Sequence, residues 1–122
     1  MSKQWALVTG ATVGIGDCFT RLLASKGYNL IINARSLDKL EERAEYLQKT
    51  YNVEVVVLQA DLATDCEKVE AYIQSHQIDV LINNAGFGLN QSFLSSSIED
   101  EQRVLDVLVR APMRLMHAVL PQ

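Results

Sequence analysis

Thr9-Gly10-Ala11-Thr12-Val13-Gly14-Ile15-Gly16 follows the apolar run Gln4-Trp5-Ala6-Leu7-Val8-Thr9 and opens a segment in which Ile15, Phe19, Leu22 and Leu23 recur at helical spacing. The run has the length of a strand buried on both faces, and Gly27 stands where a helix C-terminal cap belongs. A strand, a glycine-rich turn and a helix in direct succession give each glycine a task. Gly10 permits the tight turn, Gly14 lets a phosphate group approach the backbone, and Gly16 lets the helix pack closely on the strand. The start of the helix adds unpaired N–H groups and a partial positive charge, which suit an anion.

Outward from this turn, strand and helix signals alternate. Residues 29–34 read as a second strand, after which Ser36 can cap a helix with the inward stripe Leu37, Leu40, Ala44 and Leu47 and a solvated face of Glu41, Glu42, Arg43 and Glu45. The β-branched residues 53–58 give a third strand, Thr64 can start a helix carrying Val69, Tyr72 and Ile73, and residues 78–82 give a fourth strand. A loop with Gly86, Gly88 and a serine run follows. Ser95 to Ser97 with Glu99 reads as the start of a capping box, since no Gly-x-Ser-x-Gly surrounds it. The apolar period from about Asp100 to Leu120 then predicts a long helix, bent or locally widened where Pro112 interrupts it. Strands separated by helices predict right-handed crossovers and one α/β, Rossmann-like domain over residues 1–122, its parallel sheet covered on both faces.

The 122 residues are 48% apolar and 21% charged, the composition of a globular domain. Fifteen acids against eleven bases leave a charge of -4, the wrong sign for neutralising a nucleic-acid backbone, so no nucleic-acid partner is expected. No apolar stretch reaches the roughly 18 residues of a membrane span, and a soluble, cytoplasmic protein without a membrane partner is expected. Cys18 and Cys66 lack ligand spacing and read as small buried or half-buried apolar residues. His76 and His117 have no partner at ligand spacing either and read as surface or helix-end residues, so no metal site is expected.

Three motifs together resemble the N-terminal part of the short-chain dehydrogenase/reductase family. Thr9 to Gly16 matches the family's Thr-Gly-x-x-x-Gly-x-Gly, Asn83-Asn84-Ala85-Gly86 matches its second signature, and Asp61-Leu62 matches the pair that the family uses at the adenine ring; residues 107–121 also resemble its long central helix. The resemblance implies strand order 3-2-1-4 and a dinucleotide cofactor held by Gly10, Thr12, Val13, Gly14, Ile15, Gly16, Asp61, Leu62, Asn84, Ala85 and Gly86. At the end of the second strand, an acid would bond the ribose hydroxyl of NAD, whereas an arginine accommodates the 2′-phosphate of NADP. Arg35 and Ser36 occupy this place, which favours NADP over NAD, although Val13 stands where many NADP-preferring members carry a basic residue.

The family's chemistry needs a serine and a tyrosine whose pKa is lowered by a lysine four residues later. None of Tyr28, Tyr46, Tyr51 and Tyr72 has that lysine, Tyr46 with Lys49 being one residue short. No catalytic residue is therefore assigned, and these signatures are expected beyond Gln122. The parent would transfer hydride between NADP(H) and a carbonyl or alcohol, whereas this truncated stretch would bind without catalysing. Leu108 also replaces the asparagine usual on the family's central helix, and leucine cannot hydrogen-bond a relay water. Alternatives are a non-catalytic nucleotide-binding regulatory or assembly module, and a structural fragment that binds nothing. With the sheet ending at its fourth strand, which carries no proline or lysine, a homodimer is expected through that strand and the last helix, whose Val104, Leu105, Leu108, Leu115, Met116 and Val119 cover more than one face.

Overall fold

The computed structural model describes residues 3–122. It contains β1 (Trp5–Thr9), α1 (Gly14–Ser25), β2 (Asn29–Ala34), α2 (Leu37–Tyr51), β3 (Val55–Gln59), α3 (Cys66–Ser75), β4 (Val80–Ile82), α4 (Ile98–Leu105), a π turn (Asp106–Arg110) and α5 (Ala111–Val119). The strands form one parallel sheet in the order β3-β2-β1-β4, the Rossmann-like arrangement expected. In the register, Leu7 of β1 stands between Ile31 of β2 and Leu81 of β4.

Alternation along the strands divides the interior in two. Leu7, Ile31 and Leu58 point to one side, where they meet Val69 and Ile73 of α3 and Leu115 of α5. Ala6, Val8, Leu30 and Ile32 point to the other, where they meet Ala24 of α1 and Leu40, Ala44 and Leu47 of α2. Both faces of the central strands are thus apolar, as a parallel sheet under helices requires. Ion pairs join the helices of each layer: Asp17 with Arg43 at 2.6 Å between α1 and α2, and Glu67 with Arg110 at 2.9 Å and Glu70 with Arg114 at 2.8 Å between α3 and α5. Arg43 therefore belongs to a helix–helix contact, not to the solvated face expected of it.

Several expectations change in detail. The buried line of α1 is Gly16, Thr20 and Ala24, while Ile15 and Leu22 are exposed and Phe19 and Leu23 only border the core. Small residues let α1 come close to the sheet, and the larger ones then lie to its sides. Leu37, in the first turn of α2, is exposed as well. α3 starts at Cys66 rather than at Thr64, because Asp61 holds a turn: its carbonyl accepts from the N–H groups of Thr64 and Asp65, and its Oδ1 from that of Ala63. β4 starts only at Val80, since the Asp79 carboxylate, in place of a main-chain carbonyl, accepts the Trp5 N–H at 2.8 Å. Cys66 is buried as expected, but Cys18 is exposed. His76 caps the end of α3 and stacks on Tyr72.

Ser97 is the residue that caps α4, accepting the Asp100 N–H at 3.1 Å, and Glu99 takes no part; Glu101 instead accepts from Ser96 Oγ at 2.5 Å. The long helix widens where proline predicts it. Pro112 has no N–H for a carbonyl four residues back, and its ring would collide with that carbonyl; the turn before it opens to the π form and α5 continues beyond. Leu115 faces the core and Val104 and Val119 are half-buried, so the apolar residues exposed along this helix are Leu105, Leu108, Val109, Met113, Met116 and Leu120. Among the described residues, no helix is long and apolar enough to cross a membrane.

Asn33 is 1% exposed and its amide donates to the carbonyls of Leu58 at 2.9 Å and Ala60 at 3.3 Å, fastening the end of β2 to the chain leaving β3. Asn33→Leu deprives both carbonyls of a partner and is expected to cost about 1–3 kcal/mol. A lowered urea midpoint at unchanged slope is the expected result.

Candidate functional site

At the C-terminal ends of the strands lies a cleft of about 680 Å³, bordered by the turn after β1, the start of α2, the turn after β3 and the segment after β4. The turn after β1 is built by close approach. Gly10 and Gly14 have φ values of 63° and 57°, in the left-handed region that disfavours any residue with a Cβ. A Cβ on Gly10 would lie 2.9 Å from Ala85 Cα, and one on Gly16 would lie 2.0 Å from the Gly10 carbonyl oxygen. Gly16 is thus needed against the turn itself rather than against the strand. Gly14 differs, with nothing within 4 Å of where its Cβ would stand.

The second motif braces the first. Asn84 Nδ2 donates to the carbonyls of Thr9 at 3.2 Å and Gly10 at 3.1 Å. Thr9 Oγ1 accepts the N–H groups of Asn84 and Ala85, each at 3.0 Å. At the start of α1, Val13 gives no side-chain cap, whereas Ser36 and Ser97 each bond a first-turn N–H of their helices. The opening N–H groups of α1 therefore remain for a ligand, beside Gly14 and the exposed side chains of Val13 and Ile15.

Basic groups gather at the outer end of the cleft. Arg35 and Lys39 border it with Ser36, and among the described residues neither cation lies in a salt bridge. The backbone of Arg35 is held in place by Gln59, whose amide donates to its carbonyl at 3.0 Å. Asp61 Oδ2 accepts from Arg103 Nη2 at 2.6 Å, and the Arg103 guanidinium lies 5.7 Å from the ring centre of Phe87. Partial burial pushes the Asp61 carboxyl up, but hydrogen bonds from Arg103 and Ala63 and the charges of Arg103 and Arg35 outweigh this and hold it below its ordinary value of 3.8.

Of the residues singled out in the sequence, Gly10, Thr12, Val13, Ile15, Arg35, Ser36, Asp61, Leu62, Asn84, Ala85 and Gly86 all border this one cleft. Gly14 and Gly16 are not among the bordering residues: Gly14 is exposed at the start of α1, Gly16 lies beneath the turn, and the Leu62 side chain is mostly committed to the core. At the inner end, Leu108 packs over Gly86, so closely that a Cβ on Gly86 would lie 2.9 Å from Leu108 Cδ2. Lys39, Phe87 and Arg103 border the cleft without having been expected there. Lys39 carried a local signal, one helical turn beyond Arg35, but Arg103 reaches Asp61 across 42 residues of sequence and carried none.

The family profile described as short chain dehydrogenase matches residues 4–122. The chain belongs to the short-chain dehydrogenase family. It is 32% identical over 123 aligned residues to the human "Inactive hydroxysteroid dehydrogenase-like protein 1", covering 97% of this chain and 37% of that protein. The structure is similar to that of a bulky-bulky ketone specific alcohol dehydrogenase from Comamonas testosteroni, with a TM-score of 0.93, 34% identity, and coverage of 98% of this chain and 49% of that one. It is equally similar to a short-chain dehydrogenase from Sphingobium yanoikuyae in complex with NADPH, with a TM-score of 0.93, 34% identity, and coverage of 97% and 47%. The chain thus spans about half or less of the short-chain dehydrogenases it matches.

A depressed carboxyl pKa stabilises the fold above the unfolded value, near 3.8, and this contribution disappears as the pH falls through the folded value. Arg103→Met should therefore lower the urea midpoint at pH 6, and the gap from the parent chain should close as the pH is taken below about 3.8. A gap unchanged at pH 2 would show that the pair contributes nothing through charge.

Proposed function

We propose that the cleft binds a nicotinamide adenine dinucleotide and prefers NADP(H) to NAD(H). The observation that carries this reading is Arg35, a guanidinium with no carboxylate partner among the described residues, just after β2, where an NAD site would hold an acid. The NADPH bound to the Sphingobium yanoikuyae relative supports it. In this reading the pyrophosphate lies along Gly14 and the start of α1, between Thr12, Val13 and Ile15, while Arg35 and Ser36 take the 2′-phosphate. Asp61 and Leu62 border the adenine, and Asn84, Ala85 and Gly86 border the chain of the cofactor further in. The cradle fits such a group, since Gly14 leaves open the space that a Cβ would fill and α1 keeps its first N–H groups unused by any side-chain cap.

When bound, the cofactor supplies a hydride donor or acceptor. The residues of this chain bind and orient it, and no Tyr-x-x-x-Lys is among them. A longer parent would transfer hydride between NADP(H) and a carbonyl or alcohol, and these residues alone would bind without turnover. The second reading, a non-catalytic nucleotide-binding module, is favoured by one observation: Leu108, which can neither donate nor accept a hydrogen bond, lies against Gly86 at the inner end of the cleft. The name of the inactive human relative agrees with it.

Arg35→Ala tests the cofactor preference. NADPH affinity, measured by titration calorimetry, should fall by about 1.5–3 kcal/mol, the range for a charge-assisted bond, with little change for NADH. Equal losses for both would refute the assignment of Arg35 to the 2′-phosphate.

We also propose that the chain by itself forms a homodimer. β4 has one neighbour, and its free edge can pair antiparallel with a second copy, continuing the sheet and covering the exposed Val109 and Met113. Light scattering should give twice the 13.6 kDa chain mass, and Leu81→Lys should disperse the dimer. A monodisperse monomer over a wide concentration range would exclude the arrangement.

A further inference from the structure

β3 is the other free edge of the sheet, and its run Val55-Val56-Val57-Leu58 is apolar and β-branched, the kind of segment that pairs with strands of another chain. The Glu54 carbonyl accepts the Leu30 N–H, and the Ala60 N–H donates to the Ala34 carbonyl. By alternation, the main-chain groups of Val55, Val57 and Gln59 therefore point away from β2, to the outside. Two side chains reach this edge from opposite faces of the sheet. Gln48, in the last turn of α2, donates from Nε2 to the Val55 carbonyl at 3.3 Å, and Lys68, in the first turn of α3, donates from Nζ to the Gln59 carbonyl at 2.6 Å. The β4 edge differs. There the Asp79 N–H donates to the Trp5 carbonyl, so Val80 faces outward, and among the described residues no side chain bonds to its main-chain groups.

A strand added in parallel to β3 would donate to the outward carbonyls of Val55, Val57 and Gln59, and the two outer ones already accept from side chains. To reach them it would have to push the Lys68 ammonium aside or bury it. Among the described residues Lys68 lies in no salt bridge, so burial would leave its charge unpaired, which is strongly unfavourable. We infer that Gln48 and Lys68 close the β3 edge to strand addition by a second copy of this chain, so that self-association uses the β4 edge and stops at a pair. With both edges open, the β3 edge of one copy would take the β4 edge of the next, a head-to-tail contact that repeats without closing. The closure of β3 stands on the geometry of that edge, whereas the limit at a pair rests on the β4 dimer proposed above.

The test is sedimentation velocity of the full 122-residue chain, of the double variant Gln48→Ala with Lys68→Ala, and of each single variant, over a wide concentration range. Both residues are exposed, so the urea midpoint of the double variant should stay at the parent's value. At the highest concentration its weight-average mass should be at least about twice the parent's and should return on dilution, because a sheet with two open edges adds copies without closing. Equal masses for parent and double variant, growth that dilution does not reverse, or a parent that itself grows past the dimer would overturn the inference. A parent that stays monomeric while the double variant grows would refute the β4 dimer and leave the closed β3 edge standing. Should the double variant not fold, the single variants decide by the same comparison: reversible growth in either supports the inference, and growth in neither overturns it.

Discussion

Asn84 donates to the carbonyls of Thr9 and Gly10 while the Thr9 hydroxyl accepts the N–H groups of Asn84 and Ala85, and the cleft depends on this exchange between two segments 75 residues apart. It sets the ends of β1 and β4 side by side, which brings the turn after β1 against Ala85 and leaves no space for side chains at Gly10 or Gly16. The glycines follow from the brace rather than from flexibility as such. With the turn fixed, α1 has to start where it does, and its unused N–H groups point to a place decided by contacts outside the helix.

Charge is distributed unevenly around this frame. The chain is acidic overall, yet Arg35, Lys39 and Arg103 all border the outer end of the cleft, and Asp61 is the carboxylate among them. Asp61 neutralises Arg103 and, among the described residues, leaves Arg35 and Lys39 without an ion-pair partner, which divides the outer end into a neutral hydrogen-bonding pair and a region of net positive charge. The first suits a flat heterocycle with donors and acceptors on its edge, the second a phosphate. The separation of these two regions follows from a single ion pair.

What could be read from the sequence was what local chemistry decides. The Ser36 cap and the inward Leu40, Ala44 and Leu47 are set by residues within two helical turns of one another, and Pro112 in the first turn of α5 dictates the widened turn by its missing donor. The rest was decided by partners far away in sequence. Which helix residues face inward on α1 depended on how closely the helix could approach the sheet, so Thr20 and Ala24 are buried and Leu22 is not. On the last helix Leu115 and Met116 are both large and apolar, and packing on α3 and the sheet takes Leu115 to the core while Met116 stays at the surface. Arg103 could not have been found by pattern, because its function as a tie exists only once β3 and α4 stand together.

The inner end of the cleft is governed by contact rather than charge. The widened turn before Pro112 carries both Val107, buried beneath it, and Leu108, whose Cδ2 would lie 2.9 Å from a Cβ on Gly86. Because the π turn adds a residue to the period, the residues after it are rotated relative to those before it from where a regular helix would place them. Val107 and Leu108 both lie in this turn, the one buried and the other against Gly86. Pro112 thus influences the cleft without bordering it. At this end the cleft is bordered by Val107 and by the segment Asn84 to Gly86, an apolar wall beside main-chain groups.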